Sequence, residues 1–370
     1  MAVETEKQRW TPPVPKPPPQ SFEAGAAKFP GWDSRRYLSF SPRGKRATQY
    51  EDVTVDIQPD PDRYLLQNWI LSFADGTPTY SDRWSALKCS DWHRFRDPNQ
   101  EWERSIYQRN SIVSKHLALT TSNAKEEGSY QRIDPTWLKV IARHVLASKH
   151  PEYWLGMEVF LMAQRDAMTN MINNELATNA ADKLRYAQDL VLYGMDLAEV
   201  LPGFDNAEGK RCWLDDPAWA PTRENVEIIT TTPDWAEQVF ATNLVLEPLV
   251  LEPFRSGLVM RYSAVHGDFI TPVIVGMAEW DYERHLRASV ELYEMLATDP
   301  EHGDSNRSVM SRWLQKYQPL SVEAARQLQP IWSLPRVKEM TFAEVYDNAK
   351  NRFRGILGAL RLEPSAGVSL

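Results

Sequence analysis

The stretch AADKLRYAQDL (180–190) opens the helical pattern that decides the fold of this 370-residue chain. Its side chains fall into two rows that each recur in steps of three and four residues. The rows are Lys183, Tyr186, Leu190, Tyr193 and Leu197, and then Leu184, Ala187, Val191, Gly194 and Ala198. Together they make a wide face with few charges, which is typical of a helix buried along much of its circumference.

A second such face follows in TPVIVGMAEWDYERHLRASVELYEML (271–296). Thr271 is a predicted cap, Pro272 fits the first turn, and no later proline interrupts a helix that should run to about Ala297. Tyr282 and His285 share the inward face, because the spacing of three residues brings them to the same side of the helix.

Two further long helices complete the predicted bundle. One should run from about residue 152 to 175, followed by the helix of 180–200, which stops at Pro202-Gly203. The other should start at Asp234, with Glu237 completing a capping-box variant, and end near Leu251. Two helices, a connection and two more helices predict an all-α chain built on a four-helix bundle, with its core over about 152–297.

The remaining elements are predicted from shorter signals. VTVDI (53–57) alternates and predicts a short strand or an extended piece, and a helix is expected after Asp97-Pro98. Asp134 and Pro135 mark another helix start. Ser321 and Thr341 are expected to cap two shorter C-terminal helices. We predict an extended arm over residues 1–49 and a single helical domain over 50–370.

The arm contains TPPVPKPPPQ (11–20), with six prolines in ten residues, which favours polyproline II structure. It can be a disordered or extended leader, an arm lying on a partner subunit, or less plausibly a ligand for a peptide-binding domain. Aromatic residues within the arm would give an extended segment something to bury.

Composition excludes several classes of function. The net charge of −8 argues against nucleic-acid binding, which needs a clustered basic footprint. The chain has no apolar run long enough to span a bilayer, and its first residues contain no apolar signal core. We therefore expect a cytoplasmic protein whose two cysteines, Cys89 and Cys212, are reduced thiols.

Bundle helices of this type can hold two metal ions. Such a site takes a carboxylate from each of two helices and a Glu-x-x-His pair from each of the other two. Here the pair positions hold Lys183 and Tyr186 on one helix and Tyr282 and His285 on the other. The chain contains no Glu-x-x-His motif and no Cys/His cluster with zinc spacing.

At most half of a di-metal ligand set is therefore available. The carboxylates expected on the other two helices are Glu158, Asp166, Glu175 and Glu247. His285 can be a hydrogen-bonded core histidine or a lone ligand of a weak iron site. Lys183 should pair with a carboxylate or extend toward solvent. The sequence predicts no catalytic residue, no cofactor and no metal in this chain.

Four blocks of the sequence resemble the β (small) hydroxylase subunit of the soluble bacterial di-iron multicomponent monooxygenases. They are YEDVTVDIQPDPDRYLLQNWI (50–70), WSALKCSDWHRFRDPNQEWERSIYQRN (84–110), MTNMINNELATNAADKLRYAQDL (168–190) and FATNLVLEPLV (240–250). The likeness spans most of the chain from about residue 29. It is greatest to the propane and tetrahydrofuran type, with the phenol, toluene and alkene types as alternatives.

The resemblance implies a ferritin-like fold in which KLRY (183–186) and YERH (282–285) occupy the former Glu-x-x-His positions. It implies a catalytic α subunit that holds the di-iron centre and combines with this chain as an (αβ)₂ assembly. It also implies a coupling protein and a reductase carrying FAD and a 2Fe-2S cluster. This chain would then be a structural subunit. We predict that the arm and the 84–110 block contact the partner through Trp10, Phe22, Phe29, Trp32, Trp84, Trp92, His93 and Trp102.

Overall fold

The computed structural model describes residues 27–28, 36–37, 42–44, 46–55 and 82–365. The predicted arm falls largely outside these ranges, as do its residues Trp10, Phe22, Phe29 and Trp32. Within the described part, two-residue strands β1 (Ala27–Lys28) and β2 (Arg36–Tyr37) pair in antiparallel fashion.

Helices make up almost all of the remaining regular structure. The α-helices are α1 Gln49–Val55, α2 Glu103–Glu126, α3 Pro135–Val140, α4 Lys149–Trp154, α5 Leu161–Asp166, α6 Asn170–Val200, α7 Glu208–Asp215, α8 Ala220–Thr230, α9 Trp235–Val239, α10 Met260–Tyr262, α11 Thr271–Ala297, α12 Gly303–Leu328 and α13 Phe342–Ala359. Wider π-helical turns occupy Ile141–Val145, Leu155–Phe160, Phe240–Leu251 and Pro253–Val259. Short 3₁₀ turns occupy Asp82–Trp84, Trp92–Arg94, Tyr130–Arg132, Ala264–His266 and Gln329–Ser333.

Four long helical segments form the bundle, which confirms the predicted all-α fold. We call them the first (149–166), second (170–200), third (235–262) and fourth (271–297) bundle helices. The first and fourth bundle helices both pack against the second, and α12 packs along the third. Every residue over Phe240–Leu251 is buried, so the third bundle helix runs through the middle of the molecule.

The predicted boundary between the first two bundle helices is wrong. One helix was expected over about 152–175, but the first bundle helix ends at Asp166 and the second begins at Asn170. Between them Ala167 is extended, and the Thr169 hydroxyl accepts a hydrogen bond from the Ile172 amide (3.3 Å) as an N-cap. Glu175 therefore belongs to the second bundle helix.

The predicted strand over 53–57 is also wrong, since residues 53–55 belong to α1. Thr48 and Glu51 form a capping box at its start: the Glu51 amide donates to the Thr48 hydroxyl (3.2 Å), and the Thr48 amide donates to the Glu51 carboxylate (3.0 Å). This local cap begins a helix that packs on the second bundle helix, and it outweighs a short alternating pattern.

Other helix ends agree with their sequence signals in most cases. The side chains of Asp134, Asp234 and Thr341 accept hydrogen bonds from backbone amides at the starts of α3, α9 and α13. At α11, Thr271 is the first helical residue, and its amide donates to Asp268 (3.0 Å). The helix containing Asp234 continues past the predicted end at Leu251 to Tyr262.

Ser321 does not begin a helix, contrary to prediction. It lies inside α12, where its hydroxyl accepts a hydrogen bond from Asn225 (2.9 Å). Pro319 lies two residues before it, and the helix passes through this proline because α12 packs on the third bundle helix. In the described part of the chain, none of the helices combines the length and the apolar character that a bilayer crossing requires.

Candidate functional site at the centre of the bundle

The four residues at the predicted ligand positions line one small cavity between the bundle helices. Lys183 and Tyr186 reach it from the second bundle helix, and Tyr282 and His285 reach it from the fourth. The cavity has a volume of about 20 Å³, which is the space of one or two water molecules. Pockets that bind small molecules are more than ten times larger, on the order of 300 Å³ and above, so this space does not admit an organic substrate.

Lys183 and Arg255 bind the same pair of carboxylates across the bundle. The Lys183 ammonium donates to Glu152 (Nζ–Oε2 2.8 Å) and to Glu247. Arg255 donates to the other oxygens of both, at 2.7 Å to Glu152 and 2.8 Å to Glu247, and its Nε donates to Glu279. Two side-chain cations are thus held among three carboxylates from the first, third and fourth bundle helices.

The electrostatics of this cluster favour a charged Lys183 and an ionised Glu247. Burial alone would lower the pKa of Lys183, but the neighbouring Glu152 and Glu247 carboxylates raise it above its ordinary value. Burial alone would raise the pKa of Glu247, yet Arg255 and Lys183 lower it. Burial raises the pKa of Glu279, although the charge and hydrogen bond of Arg255 act to lower it. Lys183 therefore remains an ammonium ion at neutral pH.

Tyr186 and Tyr282 complete the cluster with neutral phenols. Burial raises the pKa of both well above the ordinary tyrosine value, so both keep their protons. The Tyr282 hydroxyl donates to the Asn243 carbonyl (3.2 Å), and the Arg255 guanidinium lies 5.7 Å from the centre of its ring. A protonated phenol held in this way is a hydrogen-bonding and packing group.

His285 is held by carboxylates on both sides. Its Nδ1 lies 2.7 Å from Glu175 and its Nε2 lies 3.0 Å from Asp182. Burial opposes protonation of the ring, but these two carboxylates raise the pKa of His285 to about 9. The imidazolium present at neutral pH donates from both nitrogens and has no lone pair for a metal ion.

Asp182 is the centre of a second charged cluster. Besides His285, it accepts from Arg109 at 2.6 Å and from Arg284 at 3.3 Å. Burial alone would raise the pKa of Asp182, but His285 and the two arginines lower it strongly. Burial raises the pKa of Glu175 to about 7, with His285 acting in the opposite direction.

A di-iron centre, which ferritin-like bundles of this type can hold, does not fit these residues. The carboxylates of Glu152 and Glu247 are neutralised by Lys183 and Arg255, and His285 is an imidazolium. A metal ion at this point would meet two side-chain cations at hydrogen-bonding distance from its ligands, which is electrostatically unfavourable.

The sequence analysis missed six of these charged groups: Glu152, Arg255, Glu279, Asp182, Arg109 and Arg284. Glu152 shares a face with Leu155 and Val159, both fully buried, and this spacing could have identified it in place of Glu158. Glu158 is half-buried and off that face, and Asp166 pairs with Arg165. Arg255 lies beyond the predicted end of its helix, and Asp182 carried no separate signal.

The residues predicted to contact a partner occupy varied positions. Trp92 is buried in this chain, 6.0 Å from Trp235 between ring centres. Trp84 and Trp102 are partly buried against the core, and His93 is half-buried. Contact between the 84–110 block and a partner remains a prediction. Trp92 packs in the core of this chain and so holds the block against the bundle.

Comparison with known proteins places this bundle in a family. Residues 69–300 match the methane/phenol/alkene hydroxylase family. The chain belongs to the methane/phenol/alkene hydroxylase family. Its sequence is 48% identical to the propane 2-monooxygenase hydroxylase component small subunit of Gordonia sp. (strain TY-5), over 92% of this chain and 93% of that protein.

A second small subunit and a solved structure are also similar to this chain. The corresponding small subunit of Rhodococcus jostii (strain RHA1) is also 48% identical, with the same coverage of both chains. The fold matches phenol hydroxylase from Pseudomonas sp. OX1 with a TM-score of 0.71 and 18% identity, over 87% of this chain and 92% of that one. The predicted resemblance to small hydroxylase subunits, greatest to the propane type, is confirmed.

Proposed function

We propose that this chain is the non-catalytic small subunit of the hydroxylase component of a propane-oxidising multicomponent monooxygenase. The observation that carries the proposal is the Lys183 ammonium, which binds Glu152 and Glu247 where a metal ion would have to lie. The propane assignment rests on small-subunit relatives that are 48% identical over 92% of this chain.

The reaction then belongs to a partner subunit. In the proposed cytoplasmic assembly, a large α subunit holds the di-iron centre, and α and β subunits combine as (αβ)₂. A coupling protein regulates the hydroxylase, and a reductase with FAD and a 2Fe-2S cluster passes it electrons from NADH. The bundle of this chain contributes a stable surface, because Lys183 and Arg255 bind Glu152 and Glu247 at its centre and its cavity is too small for a substrate.

The assembled hydroxylase provides the test. The chain is co-expressed with its large subunit, and propane oxidation is measured with reductase, coupling protein and NADH. Tyr186→Phe should leave iron per assembly and turnover within about two-fold of the parent protein, because Tyr186 is a packing group here. Tyr193→Phe, a buried tyrosine on the same helix, serves as the matched control.

A selective loss of turnover in Tyr186→Phe, with assembly and iron content retained, would contradict a structural role for this position. An autonomous ferritin-like metalloprotein is the competing class. It requires this chain alone to bind iron, and the paired charges around Lys183 oppose that.

A further inference from the structure

Three side chains that can bind a metal meet outside the bundle centre, and none of them lines the central cavity. His144 lies in the π-helical turn that follows α3, Cys212 lies in α7, and Asp216 lies directly after α7. His144 and Cys212 are each 3% exposed, and the Asp216 side chain is 17% exposed. Imidazole, thiolate and carboxylate are the three ligand types that zinc takes from proteins.

The separations between these groups match a tetrahedral site. Cys212 Sγ lies 3.5 Å from His144 Nδ1 and 3.6 Å from Asp216 Oδ2. With Zn–S of about 2.3 Å, Zn–N and Zn–O of about 2.0–2.1 Å and tetrahedral angles, neighbouring ligand atoms stand about 3.5 Å apart. The three ligand atoms all lie within 4.8 Å of one another.

The neighbouring residues hold His144 in the tautomer that a metal requires. The Trp219 indole donates to His144 Nδ1 (3.2 Å), so this nitrogen carries the lone pair that a metal ion would use. The same hydrogen bond competes with a metal for that lone pair. Arg143, whose side chain is 47% exposed, competes in a similar way by donating to Asp216 Oδ2 (2.8 Å), and it also donates to Glu208 (3.2 Å).

The backbone brings the two segments together independently of these side chains. A Cβ on Gly209 would meet the Leu146 backbone carbon and Cβ at 2.8 Å, so only glycine allows α7 to approach the turn that carries His144. A cavity of about 570 Å³ borders the cluster of His144, Cys212 and Asp216. His144, Asp216 and Arg143 are among the residues that line it. It leaves room for a water molecule as the fourth ligand, as in zinc sites with three protein ligands.

We propose that His144, Cys212 and Asp216 bind one zinc ion that links α7 to the turn after α3. Binding forms a bond from zinc to the Cys212 sulfur and releases the thiol proton to solvent, while zinc keeps its oxidation state. The Trp219 hydrogen bond and the Arg143 ion pair are exchanged for metal–ligand bonds. The site is independent of the hydroxylase assignment, because none of its residues belongs to the bundle centre.

Zinc content of the assembled hydroxylase tests this proposal. Complexes of the full chain with its large subunit are purified from zinc-supplemented cells, dialysed, and analysed for metals. The parent protein should carry one more zinc per small subunit than Cys212→Ala. Cys89→Ala is the matched control and should keep that zinc, since Cys89 pairs with Asp299 (Sγ–Oδ2 3.4 Å) without an imidazole.

Two further variants keep the test decisive if Cys212→Ala fails to fold. Asp216→Asn should weaken zinc binding by about ten-fold or more, because even outer partners of a zinc site contribute 10- to 100-fold. Trp219→Phe should bind zinc about five-fold more tightly, because it removes one competing hydrogen bond. Equal zinc content in the parent protein and in Asp216→Asn or Cys212→Ala, or none in the parent, overturns the proposal.

Discussion

At the scale of single residues, the positive charges at the bundle centre are those of the Lys183 and Arg255 side chains, which lie where a metal ion would have to bind. Lys183 and Arg255 each bridge Glu152 and Glu247, so four groups from three helices are joined by direct hydrogen bonds. Such a buried network stabilises the fold little compared with an apolar core of the same volume. Removal of one member is costly, because it leaves an uncompensated charge in a dry interior.

We expect Lys183→Met to lower the free energy of unfolding by about 3–5 kcal/mol, since Glu152 and Glu247 would then share Arg255 alone. Lys125→Met is the matched control: Lys125 pairs with Asp196 and Glu199 at the surface, and its loss should cost about 0–1 kcal/mol. Denaturant unfolding of the assembled protein measures both. Similar losses in the two variants would contradict an integral role for the buried ammonium.

The charge on His285 should make stability depend on pH. Its folded pKa of about 9 lies above the ordinary value of 6.5, so its contribution is complete below pH 6.5 and is lost as pH rises toward 9. The unfolding free energy of the parent protein should fall between pH 7 and pH 9, and in His285→Gln this fall should be smaller by about 2 kcal/mol.

His150→Gln is the control for this pH dependence. His150 is stacked on Trp213, and burial lowers its pKa to about 4, so it is neutral between pH 7 and 9. Its variant should keep the pH slope of the parent protein. An unchanged slope in His285→Gln, with the control behaving as expected, would show that His285 is not an imidazolium in the folded chain.

The residues at the ligand positions could be found from sequence because helical spacing places them on one face. Lys183, Tyr186, Tyr282 and His285 all line the cavity for this reason. The charged partners of Lys183 and His285 could not be identified from helical spacing alone. Glu152, Asp182 and Arg255 are ordinary surface-type residues in the sequence, and only the packing of three helices brings them to the centre.

At the scale of elements, helix existence was easier to predict than helix ends. The four bundle helices follow from apolar periodicity, whereas the break at 167–169 depends on one cap, Thr169, within a sequence that otherwise favours helix. α7, α8 and most of α12 were not predicted. α12 contains Pro319, which argues against a helix locally and is tolerated because tertiary packing outweighs local preference.

Glycine substitutions test which close helix contacts define the fold. Gly209→Ala should destabilise the chain by about 1–3 kcal/mol, because the added methyl group meets the Leu146 backbone. Gly355→Ala should instead stabilise it by about 0.5–1 kcal/mol, because this exposed position in α13 has open space around it and alanine favours helix. Thermal unfolding of both variants checks the sign, and equal signs would contradict the packing described for α7.

At the scale of the whole molecule, the chain is a helical bundle of the hydroxylase family whose centre is occupied by paired side-chain charges. The described bundle is complete, its centre is ionised and paired, and the central cavity of about 20 Å³ holds no substrate-sized space. The chain belongs to the methane/phenol/alkene hydroxylase family and is 48% identical to a propane 2-monooxygenase hydroxylase small subunit. The proposed role as a structural subunit requires a stable fold and no active site in this chain.

Iron content tests this account most directly. The full-length chain is produced without its large subunit in iron-supplemented cells, purified, and analysed for iron and for propane oxidation with reductase and coupling protein. We predict far less than one iron per chain and no turnover, because Lys183, Arg255 and protonated His285 occupy the bundle centre. Two tightly bound irons per chain would contradict the account.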